Sequence, residues 1–344
     1  MTTTAPCALI LGPGTYGDDH HLFGLASFRL RVLPFLKAIN QMGWTYALPG
    51  SVAEACEVFA SRRVDLIYVG KWNPQVGEAA QLCFELFELI NHPSSGTPVF
   101  RIADICENNF VDLGWHADYF DYWIQSSDLL ISGSTALADE VIKPRVGSNA
   151  ALTIIPDCIE DLKLQTGTLG DGLGWFGHAS NLCSLAQEMI ANPENRQAFT
   201  IVTRVDQGLA ELQSKGLLKP LIEAWPNAQL LPYEGTDSLI KQLQLCSKIV
   251  IPVDCMNSRK RFSSHNRLTT SLLLGMQVFA SPLPAYQDFS ELVVISDEPL
   301  KACLACQDAP VKPDPGALLS LLAPYQLEAI ISDWLEIFDR WGLR

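Results

Sequence analysis

Short hydrophobic runs alternate with helical patterns along the first half of the chain. Continuous runs rich in Val, Ile and Leu predict buried strands at residues 7–12, 64–70, 97–104, 128–134 and 152–157. Helical periodicity lies between such runs at 27–43 and around 78–91. Apolar strands that are each followed by a helix are typical of a parallel sheet covered on both faces. The first half therefore predicts one doubly wound α/β unit.

A stretch rich in glycine and threonine, residues 162–172, interrupts this alternation as a linker would. The alternation then restarts with strand candidates at 173–177, 198–203, 228–233, 248–253, 276–281 and 291–296. Helical patterns fall between them near 181–191, 207–215, 236–245 and 265–274. Residues 326–344 form one amphipathic pattern with an apolar stripe. We expect two Rossmann-like domains, at 1–160 and 161–325, and a final helix at 326–344.

The expected site lies in loops that follow strands. In open α/β sheets, ligands bind outside the carboxyl ends of the strands. Two such domains facing each other across a linker would form a deep cleft, which is a favoured place for a small-molecule site.

Composition narrows the class of protein. The chain has 344 residues, enough for two domains, and its net charge of −14 argues against a partner that is nucleic acid or an anionic membrane. No run approaches the roughly 20 apolar residues of a membrane span, and the N-terminus lacks the basic region of a signal peptide. The ten cysteines are scattered, and Cys303 and Cys306 lack partners at zinc spacing. We expect reduced thiols, a cytoplasmic protein and no metal site.

The loop after the first strand is rich in glycine and in polar residues. Gly14 and its neighbouring glycines allow close backbone approach to a ligand, but Pro13 and a long insert break the dinucleotide-binding pattern. Asp19 and His20 lie in a polar cluster that could hold a hydroxyl-bearing substrate or supply a general base. A solvated loop is an equally good interpretation.

Two further segments of the first half offer polar candidates. Arg29 and Arg31 are two positions apart, so at most one of them faces the expected cleft; we assign Arg29 to the acceptor. Asp104 follows a predicted strand, and Asp104, Glu107 or Asn108 could bind sugar-like hydroxyls. A capping role for Asp104 is at least as good an interpretation.

The second half has two predicted helix starts that could bind an anion. Gly177, His178 and Asn181 follow one strand and open a helix. Another helix opens with polar residues and includes one basic side chain: Ser263, Ser264, Asn266 and Arg267. Together they suggest a diphosphate held from two sides. The alternative is that Ser263 or Ser264 is an N-cap and Arg267 a solvated surface charge.

Several segments, taken in order, resemble glycosyltransferases with the GT-B fold, especially those like family 4. The last of them is similar to that family's K-L-x-E-A-L-A-x-G-x-P-V-V-A-S pattern. The matching segments are ASFRLRV, SSDLLISGSTALAD, TIIPDCIE, LGWFGHASN, LLPYEGTDSLIKQLQLCSKIVIPVD and NRLTTSLLLGMQVFASPLPAY.

The resemblance implies a nucleotide-sugar donor bound mainly by the C-terminal domain and an acceptor bound mainly by the N-terminal one. It also implies no metal and no separate cofactor, and a final helix that packs back on the first domain. Arg267 matches a family lysine. The family's two glutamates correspond to Phe262 and Thr270, and two of its basic positions to His178 and Asn181, so both carboxylates and both of those cations are missing here.

The expected function is transfer of a sugar from a nucleoside diphosphate to a glycan, lipid-linked or small-molecule acceptor. Arg267 and the two helix starts would stabilise the departing diphosphate. In an inverting reaction His20 or Asp19 would be the base; in a retaining one the leaving phosphate can take the proton. The alternatives are a sugar-nucleotide epimerase of the same fold and a non-catalytic binding protein. The oligomeric state is not predicted.

Overall fold

The computed structural model describes residues 5–12, 26–70, 79–91, 99–111, 115–146, 150–165, 169–194, 197–306 and 314–343. The chain divides into two compact units. The first is formed by Met1–Glu160 with Pro324–Arg344, and the second by Asp161–Ala323. Gly14, Asp19 and His20 lie outside the described residues.

The first unit contains a parallel six-stranded sheet in the order β2-β1-β3-β4-β5-β6. Its strands are β1 Cys7–Leu11, β2 Thr45–Ala47, β3 Leu66–Val69, β4 Phe100–Ile105, β5 Leu129–Ser132 and β6 Ala151–Ile154. Five of these six were predicted. The sixth, β2, is short and partly exposed, and so lacks the continuous apolar run of a buried strand.

Helices accompany this sheet along the chain. Their bounds are Leu33–Gln41, Val52–Ser61, Ala79–Asn91, Trp115–Ser126, Thr135–Leu137 and Leu327–Arg340. A π-helical turn, Phe28–Val32, precedes the first of them, so the predicted helix at 27–43 is present with a widened first turn. Val52–Ser61 begins conventionally, since the Ser51 side chain accepts a hydrogen bond from Glu54 N.

The C-terminal helix Leu327–Arg340 completes the core of the first unit. Its Trp334 ring packs edge-on against Phe35, with centroids 4.9 Å apart, and Phe35 stacks on Tyr68 of β3 at 4.3 Å. Phe338 lies 5.8 Å from Phe35 in the same cluster. Sheet, first helix and last helix therefore share one hydrophobic core, although they are far apart in sequence.

The second unit contains another parallel six-stranded sheet, in the order β12-β11-β10-β7-β8-β9. Its strands are β7 Gly172–Phe176, β8 Phe199–Thr203, β9 Ala228–Pro232, β10 Cys246–Ile251, β11 Gln277–Ala280 and β12 Val294–Ile295. All six were predicted. The two sheets confirm the predicted fold class of two Rossmann-like domains.

Seven α-helices are described in the second unit: Leu182–Ala191, Val205–Ser214, Leu218–Ala224, Thr236–Leu243, Asn266–Leu273, Pro299–Ala305 and Pro315–Leu322. The predicted pattern contained four of them. Leu218–Ala224 was missed because it is a short helix that follows another after a tight turn at Gly216, where φ is +67°. Cys303 is buried on Pro299–Ala305, and every cysteine whose side chain is described is a free thiol.

The glycines of 162–172 do more than interrupt the pattern. Gly172 is the first residue of β7, and Gly170 N donates to Gln244 O at 3.0 Å. A Cβ added at Gly170 would lie 2.3 Å from the carbonyl oxygen of Leu245. These glycines are thus required by close backbone packing within the second unit, and a linker interpretation of 170–172 is wrong.

Among the described residues, no helix is long and apolar enough to cross a membrane.

Candidate functional site

The order of the strands places a crevice in the second unit between β7 and β10. The chain runs outward from β7 through β8 to β9 on one side, and from β10 through β11 to β12 on the other. Loops that leave neighbouring strands in opposite directions open a crevice at their carboxyl ends, where ligands bind in folds of this kind. The loop after β7, residues 177–181, and the segment after β10, residues 252–265, border this crevice.

Gly177 directly follows β7 and lies beside Arg267. Its N–H donates to Val202 O at 3.1 Å, and its carbonyl accepts from Thr203 Oγ1 at 2.8 Å. A Cβ added at Gly177 would lie 3.1 Å from Trp175 Cζ2 and 3.4 Å from Arg267 Nη1. The absence of a side chain therefore leaves the space beside the guanidinium open.

His178 and Asn181 form the rest of this loop. The His178 side chain caps a short 3₁₀ turn, Ala179–Asn181, because its Nδ1 accepts from Ser180 N at 3.3 Å. Asn181 occupies the N-cap position of helix Leu182–Ala191, but its side chain makes no capping hydrogen bond to any described residue. The N–H of Leu182, the first of this helix, donates to Ala179 O, so the helix continues the 3₁₀ turn that His178 caps.

The second helix start differs from the one expected. Helix Asn266–Leu273 has His265 at its N-cap position, again without a side-chain capping bond among the described residues. Ser263 and Ser264 precede it and are half-buried. The interpretation of either serine as the N-cap is therefore wrong. Asn266 is the first helical residue and is half-buried.

Arg267 is buried at the base of the crevice. Only 9% of the residue is exposed, and its Nη1 is buried with no hydrogen-bond partner among the described residues. The solvated-charge interpretation of Arg267 is therefore wrong. A buried guanidinium N–H without an acceptor is costly, so this atom is suited to an oxygen supplied by a ligand.

Tyr286 lies close to this guanidinium. It is fully buried, and burial raises the pKa of its phenol, while the positive charge of Arg267 acts in the opposite direction. Its buried hydroxyl interacts with the Arg267 guanidinium, which acts to lower the pKa of the phenol, but this contact falls outside hydrogen-bonding geometry and leaves the oxygen without a partner in the part of the chain that the structure describes. Nothing in the sequence selected Tyr286, since one Tyr after an apolar strand is usually a core residue.

Lys260 is a second cation that the sequence analysis did not select. It lies in the 3₁₀ turn Lys260–Phe262, and its Nζ donates to Ser180 O at 2.8 Å. Burial lowers the pKa of Lys260, and the like charge of Arg267 lowers it further. The basic run 259–261 was visible in the sequence, but nothing there indicated which of its residues faces the crevice.

The three acceptor candidates lie in the first unit, whereas the crevice residues belong to the second. Asp104 is buried, and its carboxylate accepts from Arg31 and Tyr68. Arg29 forms an ion pair with Glu160, with 2.5 Å between Nη2 and Oε1. Asn108 is buried as well. Protein groups therefore already engage the side chains of Asp104 and Arg29 that were expected to meet an acceptor.

Within the described ranges, no group of three or more His, Cys, Asp and Glu side chains is placed to hold a metal ion. The crevice offers cations and backbone N–H groups instead, which are ligands for an anion.

No protein-family model matches the chain, and no curated protein does. Solved structures match it over nearly its full length. A glycosyltransferase from Rickettsia africae ESF-5 superposes with a TM-score of 0.59 at 10% identity, covering 98% of each chain. The T4 phage β-glucosyltransferase superposes with a TM-score of 0.53 at 10% identity, covering 98% of this chain and 99% of its own. AviGT4, a glycosyltransferase involved in avilamycin A biosynthesis, gives 0.52 at 10% identity and 97% of each chain.

At these identities the likeness concerns the fold. Two parallel six-stranded sheets with flanking helices, matched along nearly the whole chain by these structures, give the protein the GT-B fold.

Proposed function

We propose that the protein is a glycosyltransferase that moves a sugar from a nucleoside diphosphate donor to a glycan, lipid-linked or small-molecule acceptor. The observation that carries this proposal is Arg267, whose buried Nη1 lacks an acceptor among the described residues at the crevice of the second unit. The fold shared with solved glycosyltransferases supports it.

The chemistry of the crevice fits a diphosphate. Arg267 and Lys260 bring two cations into one crevice of a protein whose net charge is −14. Helices Leu182–Ala191 and Asn266–Leu273 both begin there. Their N–H groups and partial positive charge favour an anion, and a phosphate oxygen would satisfy the guanidinium.

These groups would act on the bond that breaks during transfer. When the anomeric carbon separates from the donor, negative charge grows on the departing diphosphate. Cations fixed in a partly buried crevice stabilise that charge without reorganising, which lowers the barrier. In a retaining reaction the leaving phosphate can also accept the proton of the acceptor hydroxyl. In an inverting one, we assign that role to His20 or Asp19.

A second candidate function is binding without catalysis. Phe262 and Thr270 stand where the family resemblance expects two glutamates, and both are buried, with exposed fractions of 7% and 3%. An apolar ring and a neutral hydroxyl cannot supply the negative charge with which carboxylates bind hydroxyl groups strongly and stabilise positive charge. This observation favours a protein that retains the nucleotide site but does not turn the donor over.

The test combines binding with turnover. Calorimetric titration with UDP, GDP, ADP and the corresponding nucleosides should show binding of at least one diphosphate and much weaker binding of its nucleoside. Slow release of nucleoside diphosphate from a bound nucleotide sugar would support a transferase. Tight binding without release would support the binding protein, and reversible conversion of the sugar would support an epimerase. If none of the three diphosphates binds, the proposal is wrong.

A further inference from the structure

Lys260 connects the two loops that border the crevice. It comes from the segment after β10, and its Nζ donates to the carbonyl of Ser180, in the loop after β7, at 2.8 Å. A carbonyl uses one of the three N–H donors of a lysine. Since Lys260 is only partly buried, the other donors can reach a ligand held between the two loops.

The charges facing Lys260 come from three further elements. Cys183 belongs to helix Leu182–Ala191, Glu211 to helix Val205–Ser214 and Arg267 to helix Asn266–Leu273; Asp254 lies in the Lys260 segment itself. Burial and Arg267 lower the pKa of Lys260, while Cys183, Asp254 and Glu211 raise it, and the net shift is downward. Without a ligand, the protonated lysine is therefore less favourable in the crevice than in water.

The loop after β7 has no lysine or arginine of its own. Residues 177–181 read Gly-His-Ala-Ser-Asn. A diphosphate lying between β7 and β10 would therefore be neutralised by basic side chains from the β10 side only. Lys260 reaches the β7 loop from that side, so its ammonium lies where the loop itself supplies no basic residue.

Resting on the proposed function, we propose that Lys260 is a second cationic ligand of the donor diphosphate and that, at alkaline pH, its neutral fraction takes up a proton from solvent when the diphosphate binds. At a pH near the lowered pKa of Lys260, binding adds a proton to the fraction of amines that are neutral, and the ammonium donates to a phosphate oxygen. No bond of the ligand breaks in this step. The negative charge of the ligand offsets both the burial of the ammonium and its repulsion by Arg267.

The inference is tested with three variants of Lys260. The probe is whichever of UDP, GDP and ADP binds the natural protein most tightly, titrated by calorimetry in buffers of different ionisation enthalpy. Measurements run from neutral pH towards the ordinary lysine pKa of about 10.4. Ionisation of the ligand is common to all variants and cancels in the comparison.

Lys260→Gln and Lys260→Met should weaken diphosphate binding about tenfold or more, the usual effect of losing a charge-assisted contact. Gln still donates to Ser180 O, so equal losses in both variants would show that the charge matters and not the bridge between loops. Both should lack the proton uptake of the natural protein. Lys260→Arg, permanently charged, should bind better than Lys260→Gln and also take up no proton.

Two controls isolate the effect. Lys219→Gln makes the same charge change at an exposed lysine that pairs with Glu223, and should leave affinity and proton uptake unchanged. Cys183→Ala removes the neighbouring thiol, whose pKa burial raises, and proton uptake should persist in this variant.

If Lys260→Gln binds the diphosphate as tightly as the natural protein, or takes up as many protons, the inference is wrong while the proposed function stands. If the natural protein binds none of the three diphosphates, the proposed function fails first.

Discussion

Arg31 Nε donates to Asp104 Oδ2 at 3.0 Å, and Arg31 Nη2 donates to the other oxygen of the same carboxylate. Both residues are buried, and Arg31 Nη1 also donates to Ile155 O at 2.6 Å and to Asp157 Oδ1 at 3.1 Å. Burial alone would lower the pKa of Arg31, but Asp104 and Asp157 raise it well above its ordinary value. One guanidinium thus joins the turn Phe28–Val32 to β4 and to the chain after β6.

We expect Arg31→Met to destabilise the first unit by about 3–5 kcal/mol, because it leaves two buried carboxylates without their cation. Chemical denaturation followed by tryptophan fluorescence measures this change. Tyr68→Phe is the matched control, since it removes only one donor to Asp104 and should cost about 1 kcal/mol. Equal losses in the two variants would contradict the assignment of Arg31 as the centre of this network.

Arg267→Ala should weaken binding of a nucleoside diphosphate by about 1.5–3 kcal/mol, the usual contribution of a charge-assisted contact. The fold should persist, because the guanidinium has an orphan N–H within the described chain and its removal leaves no buried carboxylate unpaired. Titration calorimetry gives the affinity. Arg261→Ala, at an exposed arginine in the same segment, is the control and should bind normally. Unchanged affinity in Arg267→Ala would remove Arg267 from the site.

Gly275→Ala should destabilise the second unit by about 2 kcal/mol or more. Gly275 has a φ of +76°, and a Cβ there would lie 2.7 Å from the carbonyl oxygen of Gln165. Gly216→Ala separates backbone strain at a positive φ from the steric contact of the added Cβ. Gly216 has a φ of +67° but no described atom within 4 Å of an added Cβ. Its substitution should cost only about 1 kcal/mol. If both variants lose the same stability, the contact with Gln165 contributes nothing.

Glu188→Gln should change how stability depends on pH. Burial raises the pKa of Glu188 from 4.5 to about 7, although Leu300 N–H donates to its Oε2 at 2.8 Å. The folded protein therefore holds this proton more tightly than the unfolded chain does. The resulting stability is complete below pH 4.5 and is lost as the pH rises to about 7.

Because Glu188 is only half-buried, we expect this loss to be on the order of 1 kcal/mol. An amide does not titrate in this range, so the variant should gain stability relative to the natural protein between acidic and neutral pH. Denaturation midpoints across that range measure the difference. For Glu223→Gln, at an exposed carboxylate, the plot of denaturation midpoint against pH should run parallel to that of the natural protein. A Glu188→Gln curve that also runs parallel would show that burial does not perturb this carboxyl.

A chelator should leave diphosphate binding nearly unchanged. Arg267, Lys260 and the two helix starts supply positive potential without an ion. We would measure binding of the diphosphate in EDTA and then with added magnesium or manganese. A large loss in EDTA with recovery on adding metal would mean that a divalent ion holds the phosphates, and the carboxylates of residues 18–19 would become the first candidates.

The two sheets could be predicted from the sequence because buried parallel strands carry a strong local signal. β2 was missed since its pairing with β1, and not its own hydrophobicity, makes it a strand. The π-helical turn at 28–32 also has no periodic signature, because a widened turn shifts the hydrophobic stripe by only one position.

The site was harder to predict than the fold. Arg267 was selected from its place near a helix start, but its burial depends on Tyr286 and other neighbours, which tertiary packing brings together. Lys260 could not be separated from the basic residues on either side of it without knowing which of them reaches Ser180. Asp104 follows a strand as a ligand residue would, yet its oxygens are occupied by side chains that are remote in sequence. Pairings of this kind are set by topology and not by local pattern.

The C-terminal helix Leu327–Arg340 shares the core of the first unit with Phe35 and Tyr68, and this fixes an order of assembly. During synthesis, the strands of the first unit leave the ribosome before the whole second unit, and the helix that covers their core leaves after it. The second unit can thus finish folding while the rings of Phe35 and Tyr68 still lack Trp334 beside them. A chain truncated before residue 327 would carry a folded second unit and a first unit with an exposed aromatic surface. Chaperones and proteases recognise such a surface.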